Sequence, residues 1–167
     1  MTADWSKPDW SRERPRSLWD PSRRLLYSIR AYQAAGSGPV GALRRALARL
    51  RHRYWSVITQ AEIDLEARIG GGLLLPHPNG IVIHPQAEIG ANCLLFQQVT
   101  LGTVAGRDGA PRLGAHVDVG AGARILGPVT VGDDAVIGAN AVVLADVPSG
   151  ATAVGVPARL IMRKGKT

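Results

Sequence analysis

The chain has 167 residues, enough for one domain with a small appended segment, and no stretch nears the ~20 apolar residues of a membrane span. A 46% hydrophobic content with 20 Gly and 11 Pro suits a turn-rich repeat and excludes a disordered chain. The net charge of +7 is uneven: residues 1–68 hold 13 Lys and Arg against 7 Asp and Glu, whereas residues 69–167 hold 7 against 6. The single Cys93 cannot form an internal disulfide, and the charged N-terminus lacks the apolar core of a signal peptide. A cytoplasmic protein is expected.

Residues 1–19 are polar, with Trp5, Trp10 and Trp19 scattered among charges, and read as a loosely ordered arm. Asp20-Pro21 marks a helix start, with Asp as the N-cap and Pro at the first helical position. Leu25, Leu26, Ile29 and Tyr32 supply its apolar face, and Gly36-Ser37-Gly38-Pro39 ends it. In a second helix, Leu43, Leu47, Leu50, Tyr54 and Val57 recur at spacings of 4, 3, 4 and 3, forming an amphipathic stripe. Arg44, Arg45, Arg49, Arg51 and Arg53 mostly fall off that stripe and read as a solvated face; His52 reads as a surface residue. The basic helices carry no aromatic stacking pattern and no nucleic-acid motif, so neither nucleic acid nor a membrane span is expected.

From Ile63 onward a six-residue beat takes over. Ile63, Ile69 and Leu75 follow one another, each preceded two positions earlier by Ala61, Ala67 or Leu73. After a spacing of 8 the beat resumes at Ile83, Ile89, Leu95 and Leu101, and again from Leu113 through Val119, Ile125, Val131 and Ile137 to Val143. Residues two apart on a strand point the same way, so both can face one interior. The Gly that follows Leu113, Val119, Val131 and Ile137 permits a tight turn. Three hexads close a triangular coil, and coils stack with like above like. The fold class is therefore mainly β: a parallel β-helix over residues 61–167, with a C-terminal cap, preceded by the arm and helices of residues 1–60. Cys93 occupies an inward position.

The beat breaks twice, and a prism made only of hexads has no pocket. One break inserts two residues around Pro76-His77-Pro78. The other, GTVAGRDGAPR, would bury Arg107 if it stayed in the coil, so residues 103–111 read as a loop pushed outward. His77 is a candidate general base: its ordinary pKa of roughly 6.5 suits taking a proton from an alcohol at neutral pH. His84 follows an interior Ile and reads as a turn residue. His116 lies on an outer face. With Cys93 inside, direct transfer without an acyl-enzyme is expected, with a backbone N–H from the facing coil stabilising the oxyanion.

The segment from Ile69 to Ile161 resembles the catalytic half of the serine O-acetyltransferases, a family of hexapeptide-repeat acyltransferases. The matching text is LLPHPNGIVI, QQVTLGT, VGAGARILGPVTVGDDAVIGANAVVLADVP and AVGVPARLI. The resemblance implies a left-handed parallel β-helix, a homotrimer that can pair into a dimer of trimers, and acetyl-CoA bound between subunits. It implies His77 as the catalytic base. Gly102, Ala121 and Ala139 would line the pantetheine arm of the coenzyme, Arg159 would meet its phosphates, and Asp20 would help bind the acceptor, with His84 a second acceptor-side residue. No metal is expected.

Two departures fall on the acceptor side. The family places an Asp immediately before the catalytic His, where this chain has Pro76, and an Arg-His pair where it has Gly109-Ala110. The tail that ends in Ile and docks the next enzyme of cysteine synthesis is absent, so that partner is not expected. L-serine is the first acceptor implied, and a sugar hydroxyl is the alternative. Two further readings are a metal site of the γ-carbonic-anhydrase type, which His77, His84 and His116 oppose by falling at different phases of the repeat, and a non-catalytic trimeric scaffold.

Overall fold

The computed structural model describes residue 4 and residues 7–162, so Trp5 and the basic tail of Arg163, Lys164 and Lys166 lie outside the described residues. Two helices lead the chain, α1 (Pro21–Gln33) and α2 (Gly38–Thr59). A parallel β-solenoid of about five turns follows. Face A stacks β1 (Glu62–Ile63), β3 (Val82–Ile83), β6 (Thr100–Gly102), β9 (Arg124–Leu126) and β12 (Val142–Val143). Face B stacks β2 (Arg68–Ile69), β4 (Glu88–Ile89), β7 (Arg112–Leu113) and β10 (Thr130–Val131). Face C stacks β5 (Leu94–Leu95), β8 (Asp118–Val119), β11 (Val136–Ile137) and β13 (Ala151–Val154), and is closed by the antiparallel β14 (Arg159–Met162).

The register follows the six-residue beat. Ile63, Ile83, Leu101, Ile125 and Val143 form one continuous column through face A. Ile69, Ile89, Leu113 and Val131 form the column of face B. Both columns are buried, as are the residues two positions ahead of them, so the interior is a stack of apolar side chains. At the edges the backbone turns through left-handed conformations: Gly80, Gln98, Gly122 and Asn140 on the edge from C to A, and Gly72, Asn92, His116, Asp134 and Gly150 on the edge from B to C. Residues 103–109 leave the coil, but the expected loop ends two residues early: Ala110 and Pro111 are buried, and the Pro111 carbonyl accepts from Glu88 N–H at 3.0 Å. Arg107 is exposed and its Nη1 donates to the Leu144 carbonyl at 3.4 Å, which lays the loop along the edge from A to B.

Three readings of the N-terminal half change. The arm is not loose: Trp10–Glu13 form a 3-10 turn docked on the first coil. Glu13 is buried, pairs with Arg30, and accepts from the backbone N–H groups of Gly72 (2.8 Å) and Leu73 (3.1 Å). The amphipathic stripe of α2 does not face the body of the protein. Leu43, Leu47, Leu50, Tyr54 and Val57 are 46–72% exposed, while Gly41, Ala48 and Thr59 are buried. The inward side of α2 is built from the small Ala48 together with Trp55, which packs against the core. His52 is half-buried, 3.4 Å from the hydroxyl of Ser28 on α1.

Candidate active site at the edge between faces C and A

The two-residue insertion forms a loop between Leu75 and Ile81, both buried. Gly80 N–H donates to the Gln60 carbonyl (2.8 Å), Ile81 N–H to Pro78 (3.2 Å) and Gln98 N–H to Asn79 (3.0 Å). Pro76 and Pro78 restrict φ on either side of His77, whose side chain stands in solvent at the crest of the loop.

Under this loop, between it and the start of α1, lies a pocket of about 500 Å³ lined by Trp19, Asp20, Arg23, Leu73, Pro76 and Pro78 among others. Asp20 holds the N-cap position, but its carboxylate does not cap α1. Instead Asp20 Oδ2 accepts from the Arg16 N–H at 3.0 Å and pairs with Arg23 Nη1 at 3.3 Å, both side chains being largely shielded. A larger hollow, about 810 Å³, lies on face B beside Arg68, Glu88 and Arg45, without a histidine in its lining. The smaller pocket is lined by Pro76 and Pro78, the two neighbours of His77 in the chain.

Backbone hydrogen bonds string the coenzyme-side candidates along the same edge. Gln97 accepts from Gly122 N–H (2.9 Å) and Ala121 from Asn140 N–H (2.8 Å), so Ala121 and Ala139 rise in successive coils above the His77 loop. The turn ahead of Arg159 folds back over Val142, with Val142 N–H donating to Gly155 and Ala158 N–H to Val142. Arg159 is exposed at the far end of that edge. Gly102 and His84 sit elsewhere. They neighbour each other on adjacent rungs at the edge from A to B, with His84 N–H donating to the Leu101 carbonyl at 2.8 Å. Face A, roughly 15 Å wide for five residues, separates them from His77.

His116 occupies the third edge, 3.0 Å from Asp134 through Nδ1. The three β-helix histidines thus lie on three different edges of one chain, and among the described residues no group of three or more His, Cys, Asp or Glu could hold a metal ion. Cys93 is buried, and burial raises its thiol pKa to about 11, which disfavours the thiolate a nucleophile would need. Sequence reasoning missed Arg23 and Glu13. Arg23, three residues after Asp20 on a helix, was detectable as an i, i+3 charge pair; Glu13 joins partners distant in the chain and left no local sign.

The pattern described as "Bacterial transferase hexapeptide (six repeats)" matches residues 110–145. A serine acetyltransferase of Synechococcus elongatus is 44% identical over 119 residues, covering 70% of this chain and 49% of that protein. The serine acetyltransferase of Helicobacter pylori is 46% identical over 123 residues, covering 72% of this chain and 70% of that protein. A serine acetyltransferase of Brucella abortus solved in complex with coenzyme A superposes with a TM-score of 0.75 at 34% identity, covering 90% of this chain and 59% of that one. The chain thus spans about half the length of some relatives and most of the length of others. On these matches, on both sequence and coordinates, the chain belongs to the serine acetyltransferase family of hexapeptide-repeat proteins.

Proposed function

We propose that the protein transfers acetyl from acetyl-CoA to the hydroxyl of a small molecule, L-serine first among them, with His77 as general base in a ternary complex. The observation that carries this reading is the pocket holding Asp20 beneath the Pro76–Pro78 loop, on the same edge as Ala121, Ala139 and Arg159. The hydroxyl proton passes to His77 as the oxygen attacks the thioester carbonyl; the C–S bond then breaks and the departing thiolate takes that proton back. Such a base contributes roughly 10²- to 10⁴-fold.

The coenzyme would run along the edge lined by Ala121 and Ala139, with Arg159 at its phosphates. Gly102 and His84 enter the site from a neighbouring protomer of a homotrimer, because face A separates them from His77 within one chain. The exposed stripe of α2 is the face on which two trimers would pair. Helix, arm and β-helix act as one unit here, residues 1–60 lending Asp20 to the site of residues 61–167, in a cytoplasmic protein. No helix among the described residues is long and apolar enough to cross a membrane.

The test is release of free thiol from acetyl-CoA with L-serine, homoserine and a panel of sugars. Saturable release with L-serine and little with sugars is expected. Faster release with a sugar would move the acceptor to the carbohydrate class, and no release with any hydroxyl would remove the acyl-transfer reading.

A further inference from the structure

The pocket beneath the His77 loop contains an ion pair that a neutral acceptor would leave idle. Arg23 is the one basic side chain among its lining residues, and Asp20 is the one acidic side chain. Their carboxylate and guanidinium meet at 3.3 Å, with 12% and 17% of the respective side chains exposed. A second contact holds the guanidinium in place, because Arg23 Nε donates to the Arg12 carbonyl at 2.8 Å. A guanidinium has five N–H donors in a planar fork, so two anchored bonds fix its plane while further donors stay on it.

We propose that Arg23 is the anchor for the α-carboxylate of an amino-acid acceptor, with Asp20 receiving the ammonium on the same carbon. This rests on the acetyl-transfer reading above and adds the group that selects the acceptor's charge pattern. An α-amino acid carries both charges within a few ångströms, matching the spacing of the pair. Its binding keeps the pocket's charge balanced and exchanges one set of charge-assisted hydrogen bonds for another. A sugar hydroxyl would have to desolvate the Asp20–Arg23 pair and offer no charge in return. The remaining lining is largely apolar, Leu26, Leu73, Leu75 and three prolines among it, which strengthens any charge recognition at that pair.

The test compares L-serine with L-serinamide, which keeps the ammonium and hydroxyl but lacks the carboxylate. Wild-type protein is expected to prefer L-serine by at least about 10-fold in kcat/KM, the low end for one lost charged hydrogen bond. Arg23→Gln should raise KM for L-serine about 10- to 100-fold and change the parameters for L-serinamide less than about 3-fold. Arg23→Lys should recover part of the preference. Equal losses on both substrates would show that Arg23 only braces Arg12 and Asp20, and would overturn the proposal. So would an unchanged Arg23→Gln enzyme, a wild type indifferent to the carboxylate, or an Arg23→Lys no better than Arg23→Gln. Wild type that acetylates only sugars would instead refute the acceptor reading from which the proposal starts, a result visible before any variant is made. Thermal unfolding of each variant checks that the fold is intact.

Discussion

Glu13 is the residue on which the arm's attachment turns, and its removal should cost far more than a surface carboxylate. Its two oxygens accept four hydrogen bonds: from Arg30 Nε (3.0 Å) and Nη2 (2.9 Å), and from the backbone N–H groups of Gly72 and Leu73. Glu13→Ala leaves both backbone donors without a partner in a buried site and strips Arg30 of its anion. Arg30 keeps its bonds to the carbonyls of Ile69 and Gly70 and its place over the Trp10 ring. Breaking one member of a buried ion pair costs about 3–5 kcal/mol, and each orphaned buried donor about 1–3 kcal/mol, overlapping terms that together suggest about 4 kcal/mol. Glu13→Gln keeps an acceptor for the two N–H groups and should lose about half as much. Urea unfolding at fixed protein concentration measures this, because a loss of that size moves the midpoint by roughly 2 M at a typical slope. A Glu13→Ala, Arg30→Ala cycle should return a coupling above about 1 kcal/mol. A loss below about 1 kcal/mol for Glu13→Ala would mean the arm contributes nothing to the folded state, and the reasoning would fail.

Gly90→Ala should destabilise the β-helix by about 2–3 kcal/mol, because a Cβ there would overlap the Gly114 backbone in the next coil; an unchanged melting temperature would show that the coils can separate at no cost. Cys93 should resist thiol reagents at pH 8 until the protein unfolds. Its raised folded pKa keeps its contribution to stability intact below about 9 and loses it as pH climbs through about 11, so a Cys93→Ala protein should show a flatter stability profile across that interval. Burial lowers the His52 pKa, partly offset by Asp64, so stability tied to its neutral form is present above roughly 6.5 and falls as pH drops through the lower folded value. His52→Gln should flatten the stability profile on the acid side of about pH 6.5; a profile identical to wild type would count against the buried imidazole.

The β-helix was readable because its period is set by side chains that stack on their own kind. Leu101 above Ile83 and below Ile125 is a branched aliphatic side chain repeated in one environment, and the breaks at His77 and Arg107 stand out against that regularity. The helices were readable in extent but not in orientation. A 4-3-4-3 spacing says that α2 has an apolar face; it does not say what lies opposite, and the core instead meets Trp55, while Gly41 and Ala48 are buried off that stripe. The arm failed for a related reason. Glu13, Arg12 and Asp9 look like solvated charges in sequence, yet Asp9 N–H donates to Asn92 Oδ1 and Arg12 Nη1 to the Asn92 carbonyl, more than 79 residues away in each case. Within the proposed site, His77 and Asp20 are named from the insertion and the resemblance. Arg23 was legible only as an i, i+3 partner of Asp20; its place in a pocket exists only once α1 is laid against the Pro76–Pro78 loop.

The most direct test replaces His77 by Asn and follows acetyl transfer to L-serine at saturating acetyl-CoA. Loss of at least about 10²-fold in kcat, with coenzyme affinity and melting temperature unchanged, is the outcome predicted for a missing general base. Retention of wild-type turnover by that variant would contradict the account at its centre.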